Sequence, residues 1–151
     1  MSGIGSVSVT AMFQTDTAAF VRRFAEAWAE PTVDGIVALT HPDATFTQPL
    51  AAPARGHEGL ANVLDELLST IPDLRGELVS WAQADDNTVF VELRLHGTFG
   101  RKPIEWVTVD KIELRDGLVV GDSAAPYDRG WPSDHARPSR PGRGGRDGTP
   151  R

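Results

Sequence analysis

Apolar residues in the first half of the chain recur at the spacing of amphipathic helices. One run follows Thr15 or Asp16, either of which is a suitable N-cap, and ends before Pro31. Its apolar members are Phe20, Val21, Phe24, Ala27 and Trp28. A longer run ends before Pro72, and its members are Leu60, Val63, Leu64, Leu67, Leu68 and Ile71. With a short helix over residues 33–39, the pattern predicts three helices.

The second half of the chain alternates apolar and polar residues, which is typical of strands with one buried face. The alternation predicts strands over residues 74–84, 88–99, 104–115 and 118–127, with turns such as Asp86-Asn87 and Asp116-Gly117 between them. A shorter strand over residues 44–48 ends at Pro49. We therefore predict an α+β fold, a cone-shaped curved antiparallel sheet with three helices packed on its concave face.

The two faces of strand 88–99 differ in chemistry. Its odd positions are the apolar Val89, Val91, Leu93 and Leu95, which we expect to face the helices. Its even positions include Glu92, Arg94 and His96, which we place on the convex face. We expect that face to form the contact of a homodimer, and a β-bulge would change the assignment.

Strand 104–115 carries the main candidate for chemistry. Asp110 shares the buried face with Trp106, Ile112 and Leu114, where an unpaired charge is costly, so the carboxyl stays protonated or finds a donor. A regular two-residue turn at Asp116-Gly117 pairs Asp110 with Ser123, which makes Ser123 a candidate partner. The same register sets Asp122 opposite Lys111 in a surface ion pair, and an irregular turn would reverse that assignment.

Other residues are candidates for the wall of a ligand pocket. Trp28 and Trp106 either line an apolar ligand site or pack in the core, whereas Trp81 is predicted to be core. His57 begins the third helix beside a loop that would rim the pocket, so it contacts ligand or packs the helix start. Further predicted ligand contacts are Phe24, Gln48, Leu60 and Ser123.

Composition and charge narrow the class of protein. The 151 residues, 40% of them hydrophobic, suit one folded domain over 15–127, with a flexible segment 1–14 before it. Segment 128–151 has six Arg, three Asp and many Gly and Pro, which predicts a disordered tail of charge +3. Residues 1–127 then carry a net charge of −9, which would repel nucleic acid.

The sequence gives no sign of a cofactor or of a membrane partner. It has no cysteine, and its histidines lack ligand spacing with a carboxylate, so no metal site is indicated. Neither a signal peptide nor a membrane-spanning run is evident, and we expect a cytoplasmic protein.

Residues 23–49, RFAEAWAEPTVDGIVALTHPDATFTQP, run a helix into a short helix, a turn and a strand that ends in Gln-Pro. This order resembles ketosteroid isomerase and the wider SnoaL-like, nuclear-transport-factor-2-like superfamily, over about residues 16–127. The resemblance places the family's catalytic aspartate at Gln48 and its oxyanion-hole tyrosine at Phe24. It also places Asp110, in VDKIELRDGLVV, at an oxyanion-hole donor or an acid/base residue, with one residue inserted after Gly100.

The resemblance implies a pocket without the complete isomerase apparatus. An amide cannot shuttle a proton near neutral pH, so Gln48 and Phe24 argue against classical steroid isomerisation. Three functions stay open. The first is an isomerase or polyketide-cyclase-type enzyme with Asp110 as proton donor or acceptor and Gln48 as orienter. The second is a binder of a hydrophobic small molecule without turnover, and the third is a dimerising interaction module. His96 would join Asp110, as in SnoaL-like cyclases, only if it faced the pocket.

Overall fold

The computed structural model describes residues 9–48 and 52–127, with the side chains of residues 16–48 and 52–126. The predicted segment 128–151, residues 1–8 and Pro49 lie outside the described residues. The elements in chain order are α1 (Val9–Ala29), α2 (Val33–Val37), β1 (Thr40–Thr47), β2 (Ala54–Arg55), α3 (Gly56–Thr70), β3 (Arg75–Asp85), β4 (Thr88–Phe99), β5 (Lys102–Arg115) and β6 (Leu118–Tyr127).

The three predicted helices are present, and α1 is longer than expected. It begins at Val9, so Thr15 and Asp16 lie inside the helix and the prediction of a cap there was wrong. No glycine or proline lies between Val9 and Ala29, so nothing in that stretch stops the helix. The short α2 begins after Thr32, whose hydroxyl accepts a hydrogen bond of 3.0 Å from the Gly35 N–H.

The sheet has six strands in the order β2-β1-β6-β5-β4-β3. Strands β3 to β6 form consecutive antiparallel hairpins, which confirms the predicted α+β fold with its curved sheet. Strand β1 pairs with β6 in parallel, and the two-residue β2 pairs with β1. Neither pairing was predicted. Strands β1 and β6 are far apart in sequence, so no local turn indicates that they pair.

One irregularity in the β5–β6 hairpin changes which residues face inward. The Asp116-Gly117 turn has φ values of 54° and 74°, as a two-residue hairpin turn requires. After Leu114↔Val119 the register shifts, and Glu113 pairs with Gly121, which leaves Val120 as the extra residue of a bulge. Every later residue of β6 therefore changes face relative to the regular hairpin that the turn alone predicted.

The concave face of the sheet and the helices share an apolar core. Val89, Val91 and Leu93 are at most 1% exposed, as the alternation along β4 predicted. A second, smaller cluster contains Ile71, Leu74 and Leu95, and Trp28 packs against both clusters. Trp81 was predicted to be core, but it is 39% exposed because β3 is an edge strand.

No helix among residues 9–48 and 52–127 is both long and apolar enough to cross a membrane. The cytoplasmic location and the domain boundaries stay predictions.

Candidate functional site

A cavity of about 290 Å³ lies between the helices and the concave face of the sheet. All three helices contribute to it, together with β1, β4, β5 and β6. Its lining residues are Phe24, Trp28, Ile36, Leu39, Thr40, Phe46, Thr47, Gln48, Leu60, Val63, Leu64, Leu67, Leu93, Leu95, Trp106, Thr108, Asp110, Val119, Asp122, Ala124 and Pro126. Its volume is at the small end of the range of roughly 300–1,000 Å³ that is usual for ligand pockets.

Aromatic rings form much of the cavity wall. Phe24 stacks at a tilt between Phe20 and Trp28 along α1, with ring centroids 5.8 and 6.3 Å away. Trp106 on β5 and Phe46 on β1 line the same space. The Trp28 Nε1 atom is buried and has no hydrogen-bond partner within the part of the chain that the structure describes. The predicted wall residues Phe24, Trp28, Leu60 and Trp106 all line the cavity.

Asp110 lies inside the cavity, on the buried face of β5 where the alternation predicted it. It is 5% exposed and stands opposite Val91 on β4. Burial raises the pKa of its carboxyl group to about 6, although a hydrogen bond from Thr108 acts in the opposite direction. Its Oδ1 atom is buried and has no partner among residues 9–48 and 52–127.

Asp122 lies in the same cavity, so its predicted surface ion pair with Lys111 was wrong. The bulge at Val120 sets Asp122 opposite Ile112 instead of Lys111, which turns it onto the concave face. Part of the residue keeps contact with solvent, but its Oδ1 atom is buried and has no partner among the described residues. Burial, followed by the negative charge of Asp110, raises the pKa of Asp122 well above its usual value.

The structure separates the remaining candidates from the carboxyl pair. Ser123 is exposed opposite Lys111, so the bulge removes it as the predicted partner of Asp110. His57 does not line the cavity, and its Nε2 atom donates a hydrogen bond of 2.9 Å to the Thr40 carbonyl oxygen, tying α3 to β1. Gln48 is exposed and lines the cavity at its rim.

His96 lies on the outer face of β4, as its parity predicted. Its Nε2 atom is 3.7 Å from Glu77 Oε1, and the residue lines a separate shallow groove with Arg94 and Glu105. It is therefore not a partner of Asp110 in a catalytic pair within this structure.

Asp122 is the cavity residue whose position was predicted wrongly from the sequence. The signal for a bulge was the pair of adjacent valines, Val119 and Val120, which interrupts the alternation of β6. Two adjacent valines also occur in regular strands, so the sequence alone does not establish the bulge.

The arrangement can hold and move protons in an apolar space. Ionising both buried carboxyls would place two negative charges in an apolar space, so the pair favours a state that holds one proton. In that state the protonated carboxyl can donate a proton while the ionised one accepts another. Among residues 9–48 and 52–127 there is no group of three or more His, Asp or Glu arranged to hold a metal ion.

Comparison with known proteins agrees with this fold. Residues 21–121 match the family described as SnoaL-like domain, which is most of the folded part of the chain. A search of curated proteins found no match.

Solved structures show the same fold at low sequence identity. TerC co-crystallised with polyporic acid is 16% identical, with 74% of this chain and 92% of that chain covered and a TM-score of 0.66. A protein with a ketosteroid isomerase-like fold from Catenulispora acidiphila, in complex with trimethylamine, is 17% identical. The match covers 78% of this chain and 97% of that chain, with a TM-score of 0.65. A protein from Jannaschia, described provisionally as a SnoaL-like polyketide cyclase, is 17% identical. The match covers 74% of this chain and 85% of that chain, with a TM-score of 0.65.

Proposed function

The chain belongs to the SnoaL-like domain family, and from that premise we propose that it binds a hydrophobic small molecule and acts on it as an acid/base isomerase or cyclase. The observation that carries this proposal is the pair Asp110 and Asp122, two carboxyl groups with unpartnered buried oxygens, as far as residues 9–48 and 52–127 show, in one apolar cavity. Groups with raised pKa values in a cleft are typical of catalytic acids and bases.

The pair suits proton transfer next to a carbonyl group. The ionised carboxyl takes a proton from the carbon beside the carbonyl, and the protonated carboxyl gives its proton to the carbonyl oxygen, which produces an enol. Return of a proton to another carbon completes an isomerisation, whereas attack of the enol carbon on a second carbonyl closes a ring. Both steps leave the pair with one proton, so no cofactor is required.

The positions of Gln48 and Phe24 favour this pair over the familiar steroid isomerase route. Gln48 cannot accept and return a proton, and at the rim it can only orient a polar group of the ligand. Phe24 has no hydroxyl group, so it donates nothing to an oxyanion. The free Trp28 Nε1, which has no partner among the described residues, is a donor available to a ligand oxygen.

Exchange of hydrogen for deuterium beside a ketone carbonyl tests the proposed chemistry. Proton NMR in heavy water follows this exchange on a panel of bicyclic α,β-unsaturated ketones. We expect exchange or double-bond migration with the wild type, and a loss of about 100-fold or more in Asp110→Asn and in Asp122→Asn. The matched control is Asp65→Asn, which makes the same change at an exposed position of α3.

Binding without turnover is the second candidate function, and Gln48 and Phe24 favour it because they remove the usual base and phenol. It would replace the first if members of the panel bind but none undergoes exchange. Polyporic acid and trimethylamine accompany two of the similar structures, which supports small-molecule binding by proteins of this fold.

We also propose that the convex face of the sheet forms a homodimer contact. Phe90 is 39% exposed there, and Glu92 is only 8% exposed and accepts a hydrogen bond of 2.5 Å from Ser80. Arg94 lies 3.6 Å from Glu105 and 3.8 Å from Glu77. Aromatic residues and arginine are enriched in protein contacts, which supports this assignment for Phe90 and Arg94.

A further inference from the structure

The ionisable side chains that line the cavity are all acidic. Asp110 and Asp122 are the two, and no Lys, Arg or His is among the lining residues that the structure describes. His57 at the start of α3 donates its Nε2 hydrogen bond to the Thr40 carbonyl oxygen and does not line the cavity. A ligand that enters this space therefore meets negative charge with no balancing cation from the wall.

The two carboxyl groups also have unused hydrogen-bonding capacity. One oxygen of each is buried without a partner among residues 9–48 and 52–127. A buried acceptor without a donor is costly, and more so when it carries charge. A ligand that brings a charged N–H donor would satisfy these oxygens and balance the charge together.

The rest of the wall suits the same kind of group. Phe24, Trp28, Phe46 and Trp106 line the space, and the faces of aromatic rings attract cations. A ligand carboxylate or phosphate, by contrast, would meet the like charge of whichever of the two carboxyls is ionised, in a low-dielectric space.

We infer that the ligand of this cavity is a hydrophobic amine, an apolar body of about two rings that carries one protonated nitrogen toward Asp110 and Asp122. The inference rests on the proposed function in using the cavity as the ligand site, and it names the class of ligand.

Binding of such a cation has a consequence for protons. A positive charge next to Asp110 and Asp122 lowers their pKa values, so the pair releases a proton when the amine binds near pH 6. No other titratable group faces the pair from the described parts of α1, α2, α3, β1 or β4, since the residues these elements contribute to the wall do not ionise.

Calorimetric titration with three probes of equal size tests the inference on the full chain. The probes are naphthylmethylamine, naphthylmethanol and naphthoic acid, which place a cation, a neutral donor and an anion on the same ring system. We expect the amine to bind about tenfold or more tightly than the alcohol, and the acid to bind more weakly than either. Titrations in two buffers of different ionisation enthalpy should show proton release for the amine and none for the alcohol.

Variants test whether Asp110 and Asp122 produce the preference for the amine. The double variant Asp110→Asn with Asp122→Asn should bind the amine no more tightly than the alcohol, whereas Asp65→Asn should keep the wild-type preference. Equal binding of amine and alcohol, or tightest binding of the acid, would overturn the inference and leave the proposed function in place. If no probe and no ketone of the panel binds, the cavity is not a ligand site and both proposals fail.

Discussion

Burial of the Asp110 and Asp122 carboxyls favours their protonated forms, because each loses its hydration and neither gains a cation among the described residues. The same physical cause would tune both groups for proton transfer near neutral pH. Burial of these groups also lowers the free energy of unfolding above their usual pKa, because both carboxyls ionise freely in the unfolded chain.

Replacing Asp110 with asparagine should change stability in a pH-dependent way. The native pKa of about 6 exceeds the ordinary value of 3.8, so the unfolded chain binds fewer protons between these values and wild-type stability falls as pH rises through them. Asp110→Asn removes this loss. We expect its free energy of unfolding, relative to wild type, to be higher at pH 8 than at pH 4 by on the order of 2 kcal/mol.

Chemical denaturation at the two pH values measures this difference. Asp65→Asn on the exposed side of α3 is the control and should show no comparable change. A constant difference between Asp110→Asn and wild type at both pH values would show that the Asp110 carboxyl titrates normally.

A second change at the residue scale concerns Thr108. Its hydroxyl donates to Asp110 and lowers the pKa of that carboxyl, so Thr108→Val, which keeps the shape, should raise the pKa of Asp110. Carbon NMR of the carboxyl group during a pH titration measures it. An unchanged or lowered value would mean that the hydroxyl does not act on Asp110.

At the scale of elements, the Val120 bulge decides the composition of the site. Strands β4 and β6 matched their predicted bounds, because their alternation and turn residues are local signals. The register of β6 was not predictable in the same way, since two adjacent valines fit either a bulge or a regular strand. Asp110 could therefore be placed from sequence, whereas Asp122 and Ser123 exchanged faces.

Contacts between distant parts of the chain explain the other differences. The parallel pairing of β1 with β6 extends β1 back to Thr40, beyond its predicted start. Exposure of Trp81 follows from the position of β3 at the sheet edge, which no residue of β3 itself reveals.

The packing of α1 on β3 gives a prediction for Gly76. A Cβ atom there would lie 3.0 Å from Trp28 Cβ and 3.2 Å from the Trp28 carbonyl oxygen, so the glycine lets α1 approach the strand. We expect Gly76→Ala to lower the free energy of unfolding by about 1–3 kcal/mol and to weaken ligand binding by displacing Trp28.

Gly59 in α3 is the matched control. Its added Cβ would meet Ala54 at 3.6 Å, which is ordinary contact, so Gly59→Ala should stabilise the helix by up to about 1 kcal/mol. Thermal and chemical denaturation compare the two variants. Equal stability of Gly76→Ala and wild type would contradict the close approach of α1 to β3.

At the scale of the whole molecule, we propose that the concave face of the sheet binds ligand and that the convex face forms the subunit contact. Phe90 and Trp81 provide a test, because each is 39% exposed and they lie on opposite faces of the sheet. Phe90→Arg adds a positive charge across from Lys111, within the proposed contact.

Sedimentation of the two variants separates the faces. We expect a wild-type dimer, a shift toward monomer in Phe90→Arg, and an unchanged dimer in Trp81→Arg. A monomeric wild type, or a Phe90→Arg protein that stays as dimeric as the wild type, would rule out this contact.

The protonation of the carboxyl pair inside the cavity is the property on which catalysis and amine binding both depend. Carbon NMR of the side-chain carboxyls, assigned with Asp110→Asn and Asp122→Asn, measures it directly across a pH titration. We expect Asp110 to titrate at about 6 and Asp122 well above the usual 3.8, with each variant altering the titration of the other acid. Two independent titrations near 3.8 would contradict a buried, interacting pair.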